Sequence, residues 1–274
     1  MTATTAARKL PVGVPFRTAA PLALAVLLVL TAIAYPLTSG SDRDLVSWTI
    51  VVLGSALSVV HAALARGIRT AIGLLLLVAV TAVAFEAVGL ATGVPYGSYT
   101  YSDALGPTLL GVPFLVPLAW LMMAWPSWVL ADRLAGRRRR AAVRIAVAAG
   151  VFAAWDVVLD PQMVQAGYWT WEHPSPGLPG IDTVPLTNLA GWLLAGVVLM
   201  SLLDQLVART SVGDVPRIGP AGPLLALGWM TLGGALAHAG WLGLPGSAAW
   251  GTALAVPVLA VLVVQGRRAG RSRG

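Results

Sequence analysis

Two acidic residues, Glu86 and Asp156, stand inside long apolar runs, and each is followed by an aromatic loop at the same distance. Eleven residues separate Glu86 from Gly97, which opens the loop GSYTY, and eleven separate Asp156 from Gly167, which opens GYWTW. An ionisable side chain in an apolar segment is costly, which makes it a candidate functional group. Because burial disfavours the charged form of a carboxyl group, such an acid keeps its proton near neutral pH and can donate it.

A protonated carboxyl group in an apolar, aromatic cavity suits one chemistry well, the addition of a proton to an alkene. The carbocation that forms needs stabilisation without a nucleophile that would trap it wrongly, and aromatic faces supply this by cation–π attraction. Tyr99 and Tyr101 of the first loop are candidates for binding such a substrate, although aromatic residues at a membrane interface often serve only as anchors. The tryptophans near the two acids are further candidates. They are Trp120, Trp155, Trp169, Trp171 and Trp192.

Two more polar residues could complete such a site. Asp160 lies one helical turn after Asp156, on the same face of a helix, and two neighbouring carboxyl groups do not both ionise easily. Asn188, near the start of a later apolar run, is a candidate partner for a carboxyl group or for a site water. The structural alternative is that Glu86, Asp156 and Asp160 make helix–helix hydrogen bonds that hold a membrane bundle together.

The composition indicates which elements position these residues. The chain has 274 residues, of which 57% are hydrophobic and 11% charged, a balance far from that of soluble domains. Runs of about 20 apolar residues are long enough to cross the hydrocarbon core of a bilayer as helices. The sequence therefore predicts an all-α, polytopic membrane bundle that forms a single integral membrane domain over residues 1–274. The eight predicted spans are 20–38, 46–65, 70–91, 108–131, 141–160, 186–207, 220–241 and 248–265.

The basic residues predict the orientation of the chain. With the N-terminus in the cytoplasm, 17 of the 18 basic residues fall on one side of the predicted topology, and only Arg43 falls on the other. Cytoplasmic loops carry such an excess of Arg and Lys, so we expect a multi-pass protein of the cell membrane with both termini in the cytoplasm. The run Arg137–Arg140 lies in a short loop between spans, so the net charge of +7 requires no nucleic-acid partner.

The two acidic segments form an internal repeat, residues 86–120 and 156–192. Predicted spans three and five cross in one direction, and spans four and six return, so the helix pairs 3–4 and 5–6 have the same topology. A parallel repeat implies a pseudo-two-fold axis along the membrane normal. Such an axis would bring Glu86 and Asp156 to one central cavity.

Several classes of site are disfavoured. The chain has no cysteine, and the three histidines, His61, His173 and His238, show no metal-ligand spacing, so we expect neither a metal site nor a cofactor. No basic residue lies deep within a predicted span, which argues against a phosphate-processing site.

The order of motifs resembles a known family. The segments EAVGLATGVPYGSYTYSDALGPTLLGVPFLVPLAW (86–120) and WDVVLDPQMVQAGYWTWEHPSPGLPGIDTVPLTNLAGW (155–192) resemble membrane carotenoid biosynthesis proteins typified by the CruF-type acyclic carotenoid hydratases. The shared features are a Glu before a Gly-rich aromatic loop, Leu-Gly-Pro, Gly-Val-Pro, an Asp-Pro segment, Trp-x-Trp and a late Asn-x-x-Gly-Trp. The small membrane lycopene cyclases are similar in general character.

The resemblance implies addition of water to a terminal isoprenoid double bond of an acyclic carotenoid held in the bilayer, with other enzymes of carotenoid biosynthesis as candidate partners. In the mechanism we expect, one of Glu86 and Asp156 protonates the alkene, with Glu86 as the first choice. The other acid, with Asp160 or Asn188, holds the water that captures the cation. The alternatives are a carotenoid cyclase, in which an internal double bond captures the cation, and a transporter or lipid-binding protein whose acids relay protons.

Overall fold

The computed structural model describes residues 14–135, 141–210, 218–256 and 259. Six helical spans in these ranges are long and apolar enough to cross a membrane, which confirms the all-α polytopic bundle. The long helices are α1 (Val14–Ala34), α2 (Gly40–Arg66), α3 (Ile68–Thr92), α4 (Leu115–Ala135), α5 (Ala141–Gln165) and α6 (Leu186–Thr210). Four short strands lie in the loops after α3 and α5. They are β1 (Tyr99–Tyr101), β2 (Thr108–Leu109), β3 (Val112–Pro113) and β4 (Trp169–Trp171).

The predicted span 108–131 is wrong at its start. Residues 108–113 form an antiparallel hairpin of β2 and β3, and α4 begins only at Leu115. The two residues between the strands, Leu110 and Gly111, both have positive φ angles, 54° and 81°. Positive φ at both central residues is the backbone conformation of a two-residue hairpin turn, and glycine adopts it without strain. The apolar character of this segment concealed the turn.

The predicted span 220–241 is helical but irregular. α7 (Ala221–Gly228) passes into a wider, π-type turn at Trp229–Gly233, then into one α-helical turn, α8 (Gly234–Ala237), and then into a second π-type turn at His238–Leu242. Glycine occurs five times between residues 221 and 242, and it weakens a regular α-helix because it leaves the backbone unrestricted.

Some predicted features lie outside the described residues. The eighth predicted span, 248–265, falls within them only in part, where residues 245–256 are helical. The basic run Arg137–Arg140 lies wholly outside them, so the cytoplasmic placement of the termini stays a prediction.

The central helices form a ring of four. α3 packs against α4 and α6, and α5 packs against the same two helices. α1 and α2 pack against each other, α2 lies against α4, and α7 lies against α1 and α4. α4 is the most enclosed helix, with 15 of its 21 residues buried.

The two aromatic strands join the two halves of the predicted repeat. β1 and β4 pair antiparallel, with Tyr99 opposite Trp171, Thr100 opposite Thr170 and Tyr101 opposite Trp169. Thr100 and Thr170 occupy the same position in the two copies, so this register is the one that a two-fold axis between them would produce. The internal repeat itself remains a prediction.

Ion pairs close the end of the bundle away from the strands. Arg66 pairs with Asp132 at 2.9 Å, and Arg144 pairs with Asp204 at 2.5 and 2.8 Å. The indole of Trp128 donates a hydrogen bond to Asp204. These acids therefore belong to a different part of the molecule from Glu86 and Asp156.

Candidate active site

A cavity of about 250 Å³ lies at the strand-bearing end of the bundle. Ten of the eleven predicted site residues line it, and Asp156 is buried beside Asp160. None of the lining residues is basic. The predicted residues that line it are Glu86, Tyr99, Tyr101, Trp120, Trp155, Asp160, Trp169, Trp171, Asn188 and Trp192.

The first polar centre is Glu86, which is only 4% exposed. Tyr99 donates a hydrogen bond from its phenol to Glu86 Oε2 at 2.5 Å, and Tyr101 donates one to the same oxygen at 2.9 Å. Burial, and after it the nearby Glu86 carboxyl group, raise the pKa of both phenols above their ordinary range, so both keep their protons. The two phenols therefore act as fixed donors to one carboxyl oxygen.

Glycines bring these phenols to the carboxyl group. Gly93 ends α3 with a φ of 72°, and Gly97 turns the chain again with a φ of 88°, so β1 lies back over the end of α3. Alternate residues of a strand point to the same side, and Tyr99 and Tyr101 therefore both face Glu86. A Cβ atom at Gly89 would lie 2.8 Å from the Tyr96 ring and 3.1 Å from the phenol oxygen of Tyr99.

The second polar centre contains two carboxyl groups and one amide. Asn188 Nδ2 on α6 donates to Asp156 Oδ2 at 2.7 Å and to Asp160 Oδ2 at 2.5 Å. All three side chains are at most 3% exposed. Asp156 Oδ1 is buried and makes no hydrogen bond within the described residues, so one acceptor of this centre is left free.

A proline in α5 explains a nearby buried network. Pro161 lies inside the helix and has no N–H for the carbonyl oxygen four residues earlier. That carbonyl belongs to Val157, and Ser247 donates to it at 3.0 Å. Ser247 also contacts His238 Nδ1 at 2.7 Å, and His238 Nε2 lies 3.1 Å from the side-chain amide of Gln162. The network satisfies the freed carbonyl and connects it to Gln162, which lines the cavity.

The two centres are chemically different although their positions in the predicted repeat are equivalent. Trp169 and Trp171 stand where the first copy has Tyr99 and Tyr101 and have no hydroxyl group. Trp171 donates its indole N–H to the Tyr96 carbonyl at 3.1 Å instead. Asp156 therefore depends on its own helix and on α6 for partners, whereas Glu86 depends on the aromatic strand.

Aromatic rings form the inner wall of the cavity. The distance between ring centroids is 5.1 Å from Trp192 to Trp120, 5.1 Å from Trp192 to Phe152 and 6.2 Å from Trp192 to Trp155. The indole N–H of Trp120 is buried beside Glu86 but outside normal hydrogen-bond geometry. These faces can stabilise a carbocation and contain no strong nucleophile.

Sequence reasoning missed several residues that line the cavity. They come from elements outside the repeat or from neighbours of the predicted residues, and they include Tyr35, Ser47, Tyr96, Gln162, Tyr168 and Trp229. The phenols of Tyr35 and Tyr96 are buried and lack a hydrogen-bond partner in the described part of the chain. Of these residues, only Tyr96, Gln162 and Tyr168 could have been proposed from the sequence, because they lie within the two acidic segments 86–120 and 156–192.

Metal-ligating side chains are not clustered in the described ranges. No group of three or more His, Asp or Glu residues there is placed to hold a metal ion.

Comparison with known proteins identifies the family. The sequence profile described as "Carotenoid biosynthesis protein" matches residues 46–258, well over half of the chain. The chain belongs to the carotenoid biosynthesis protein family. The matched range includes both carboxyl centres and both aromatic strands, so the resemblance seen in the motifs is confirmed.

Among curated proteins, this carotenoid biosynthesis protein is similar to bisanhydrobacterioruberin hydratase of Haloarcula japonica. The two are 40% identical over 134 residues, which are 47% of this chain and 44% of the relative. The chain thus matches less than half the length of that relative. No solved structure matches the chain.

Proposed function

We propose that this protein adds water to the terminal isoprenoid double bond of an acyclic carotenoid and forms a tertiary alcohol. The observation that carries the proposal is one aromatic cavity with two distinct carboxyl centres, Glu86 and the pair Asp156 and Asp160, and no basic residue in its described lining. The name of the Haloarcula relative, a hydratase, supports the same class of reaction.

Glu86 is the proton donor in this mechanism. Tyr99 and Tyr101 occupy both lone pairs of Oε2, so a proton on this carboxyl group is carried by Oε1. When Oε1 gives that proton to the terminal alkene, a C–H bond forms and the neighbouring carbon becomes a tertiary carbocation. The phenols then stabilise the carboxylate, because hydrogen bonds to an ionised acceptor are stronger than those to a neutral one.

The aromatic wall holds the carbocation until water reaches it. Trp120, Trp155 and Trp192 present ring faces to the same space, and cation–π attraction is strongest where water is largely excluded. Their carbon faces do not form a stable bond to the cation, so the intermediate stays available for water.

The second centre holds and activates the water. Asp156 and Asp160 share the Asn188 amide, and with no described cation beside them the two carboxyl groups share one proton. Their remaining negative charge stabilises the carbocation and accepts a proton from the water as its oxygen bonds to carbon. Asp160 lines the cavity and is the acceptor for this step, with Asp156 buried beside it. One alkene and one water thus give one alcohol, and return of the proton to Glu86 restores the protein.

The water-binding centre is the feature that favours a hydratase over a cyclase. A cyclase begins with the same protonation, but an internal double bond captures the cation and no acceptor for a water proton is needed. Asp160 and Asn188 put such acceptors and donors into the cavity wall.

The test is pigment analysis in cells that make an acyclic carotenoid, with and without this chain. Liquid chromatography with mass spectrometry is run on cultures grown in ordinary water and in water enriched with oxygen-18. We expect a product heavier by one or two waters, with an unchanged chromophore and with the heavy isotope in each new hydroxyl group. Glu86→Gln should abolish it, and the matched variant Asp132→Asn, at the far end of the bundle, should not.

Two outcomes would contradict the proposal. A product of unchanged mass with a shifted absorption spectrum would show cyclisation. Wild-type protein that inserts into the membrane but changes neither a forty-carbon nor a fifty-carbon acyclic carotenoid would favour transport or binding.

A further inference from the structure

The cavity is too small for a whole carotenoid. Its volume is about 250 Å³, below the range of about 300–1,000 Å³ that is usual for pockets enclosing small ligands. An extended acyclic carotenoid is about as long as the hydrocarbon core of a bilayer is thick, about 30 Å. If one end group reaches Glu86, most of the polyene must therefore lie outside the enclosed part of the cavity.

Exposed residues that also line the cavity show where it opens. Ile33, near the end of α1, and Leu37, in the turn that follows it, are 45% and 67% exposed. Leu236 and Trp241, in and after α8, are 59% and 60% exposed. These four side chains both border the cavity and are exposed, which is the arrangement expected at its mouth. The mouth therefore lies between the end of α1 and the irregular helical stretch that follows α7.

The chemistry of this mouth fits a hydrocarbon. The residues that border it are apolar, whereas the acids, the amide and the phenols that contact Glu86 lie deeper in the bundle. The two segments that border the mouth also contact each other, because the turn Tyr35–Leu37 packs against the second π-type turn, His238–Leu242. Wider helical turns of this kind are frequent at functional sites. An apolar opening between two elements of a membrane bundle is suited to a hydrocarbon that enters from the bilayer.

We propose that this mouth is a lateral channel that binds the conjugated polyene of the substrate and admits its end group from the bilayer. The inference deepens the proposed function and rests on it for the identity of the ligand. Ala32, Ile33 and Leu37 form one wall, and Leu236, Ala237 and Trp241 form the other. The family profile begins at residue 46, so the α1 wall lies outside the matched range.

Two variants of one helical turn test the channel. Ala237 lines the cavity, and Ala239, two residues later, is exposed and does not. Both are changed to Phe, the proteins are produced in cells without carotenoids, and the purified proteins in lipid vesicles are given lycopene. We expect Ala237→Phe to lower the bound pigment per protein by about tenfold, the change that follows loss of about 1.4 kcal/mol of binding, and Ala239→Phe to match the wild type.

A reversible cross-link excludes misfolding as the cause. The chain has no cysteine, so Leu37→Cys with Trp241→Cys gives the only two thiols. A short thiol-reactive cross-linker that contains a disulfide is attached before pigment is added. We expect uptake to fall by about tenfold when the mouth is bridged and to return, after reduction, to the level of the same double variant before cross-linking.

Binding and turnover are measured separately, so the two proposals can fail separately. Full uptake by the cross-linked protein, or equal uptake by Ala237→Phe and Ala239→Phe, would overturn the channel. Uptake through the mouth without a hydrated product would leave the channel intact and refute hydration. Wild-type protein that takes up no acyclic carotenoid would overturn both.

Discussion

Removing either phenol next to Glu86 isolates one step of the proposed mechanism. Tyr99→Phe and Tyr101→Phe each delete a single hydrogen bond to Glu86 Oε2, of 2.5 and 2.9 Å, and keep the aromatic ring. If Glu86 donates the proton, these bonds strengthen as the carboxylate forms. The change therefore acts on the transition state more than on substrate binding.

The size of the effect follows from the charge on the acceptor. A hydrogen bond to a charged group contributes about 1.5–3 kcal/mol, and about 1.4 kcal/mol corresponds to a tenfold change in rate. Each single variant should thus slow hydration by about 10- to 150-fold. We expect the larger loss for Tyr99→Phe, because its bond to Glu86 is the shorter of the two. The double variant should depart from additivity, because both phenols bond to the same oxygen.

The assay is the initial rate of oxygen-18 incorporation from labelled water into product, in membranes with equal amounts of inserted protein. Tyr168→Phe is the matched control, because the Tyr168 phenol belongs to the lining of the same cavity but donates to Asp44 at 2.6 Å and not to Glu86. We expect the control to change the rate by less than about threefold. Wild-type rates for both Tyr99→Phe and Tyr101→Phe would refute the role given to Glu86.

Three further predictions concern the surroundings of the site. Gly89→Ala places a methyl group 2.8 Å from an aromatic ring, so it should slow hydration and lower the free energy of unfolding by about 1–3 kcal/mol, measured by denaturant titration. Ser247→Ala should cost about 1–3 kcal/mol of stability by leaving the Val157 carbonyl unpaired. The cost should shrink in a Pro161→Ala background, where the helix can bond that carbonyl, and an unchanged cost would contradict this account. Burial, and then the hydrogen bond to Asp44, raise the pKa of Tyr168 to about 12 from 10.0. The stability that the protonated Tyr168 phenol contributes should be complete below about pH 10 and lost between about pH 10 and 12. Thermal unfolding of Tyr168→Phe should lack this pH-dependent loss.

Local patterns were sufficient for much of the fold. Hydropathy identified the first six spans because a bilayer imposes nearly the same length and composition on every crossing helix. Glu86 and Asp156 stood out for the related reason that an acid is costly in such a helix. The wrong start of the fourth span came from residues 108–113, which are apolar but form a hairpin. There the positive φ of Leu110 and Gly111 decided the structure, and hydropathy does not register backbone conformation.

The membrane class, the first six spans, the two acids and their aromatic loops were determined by the sequence itself, because composition and spacing along the chain carry that information. Only the tertiary structure assigned both phenols to Glu86 and the Asn188 amide to Asp156 and Asp160, since these partners come from separate segments whose distances depend on packing. Only the tertiary structure placed the turn after α1 against the irregular stretch after α7, and these two segments border the mouth of the cavity. Such contacts between distant segments leave no periodic pattern in the sequence, and they give two acids in equivalent repeat positions different chemical surroundings.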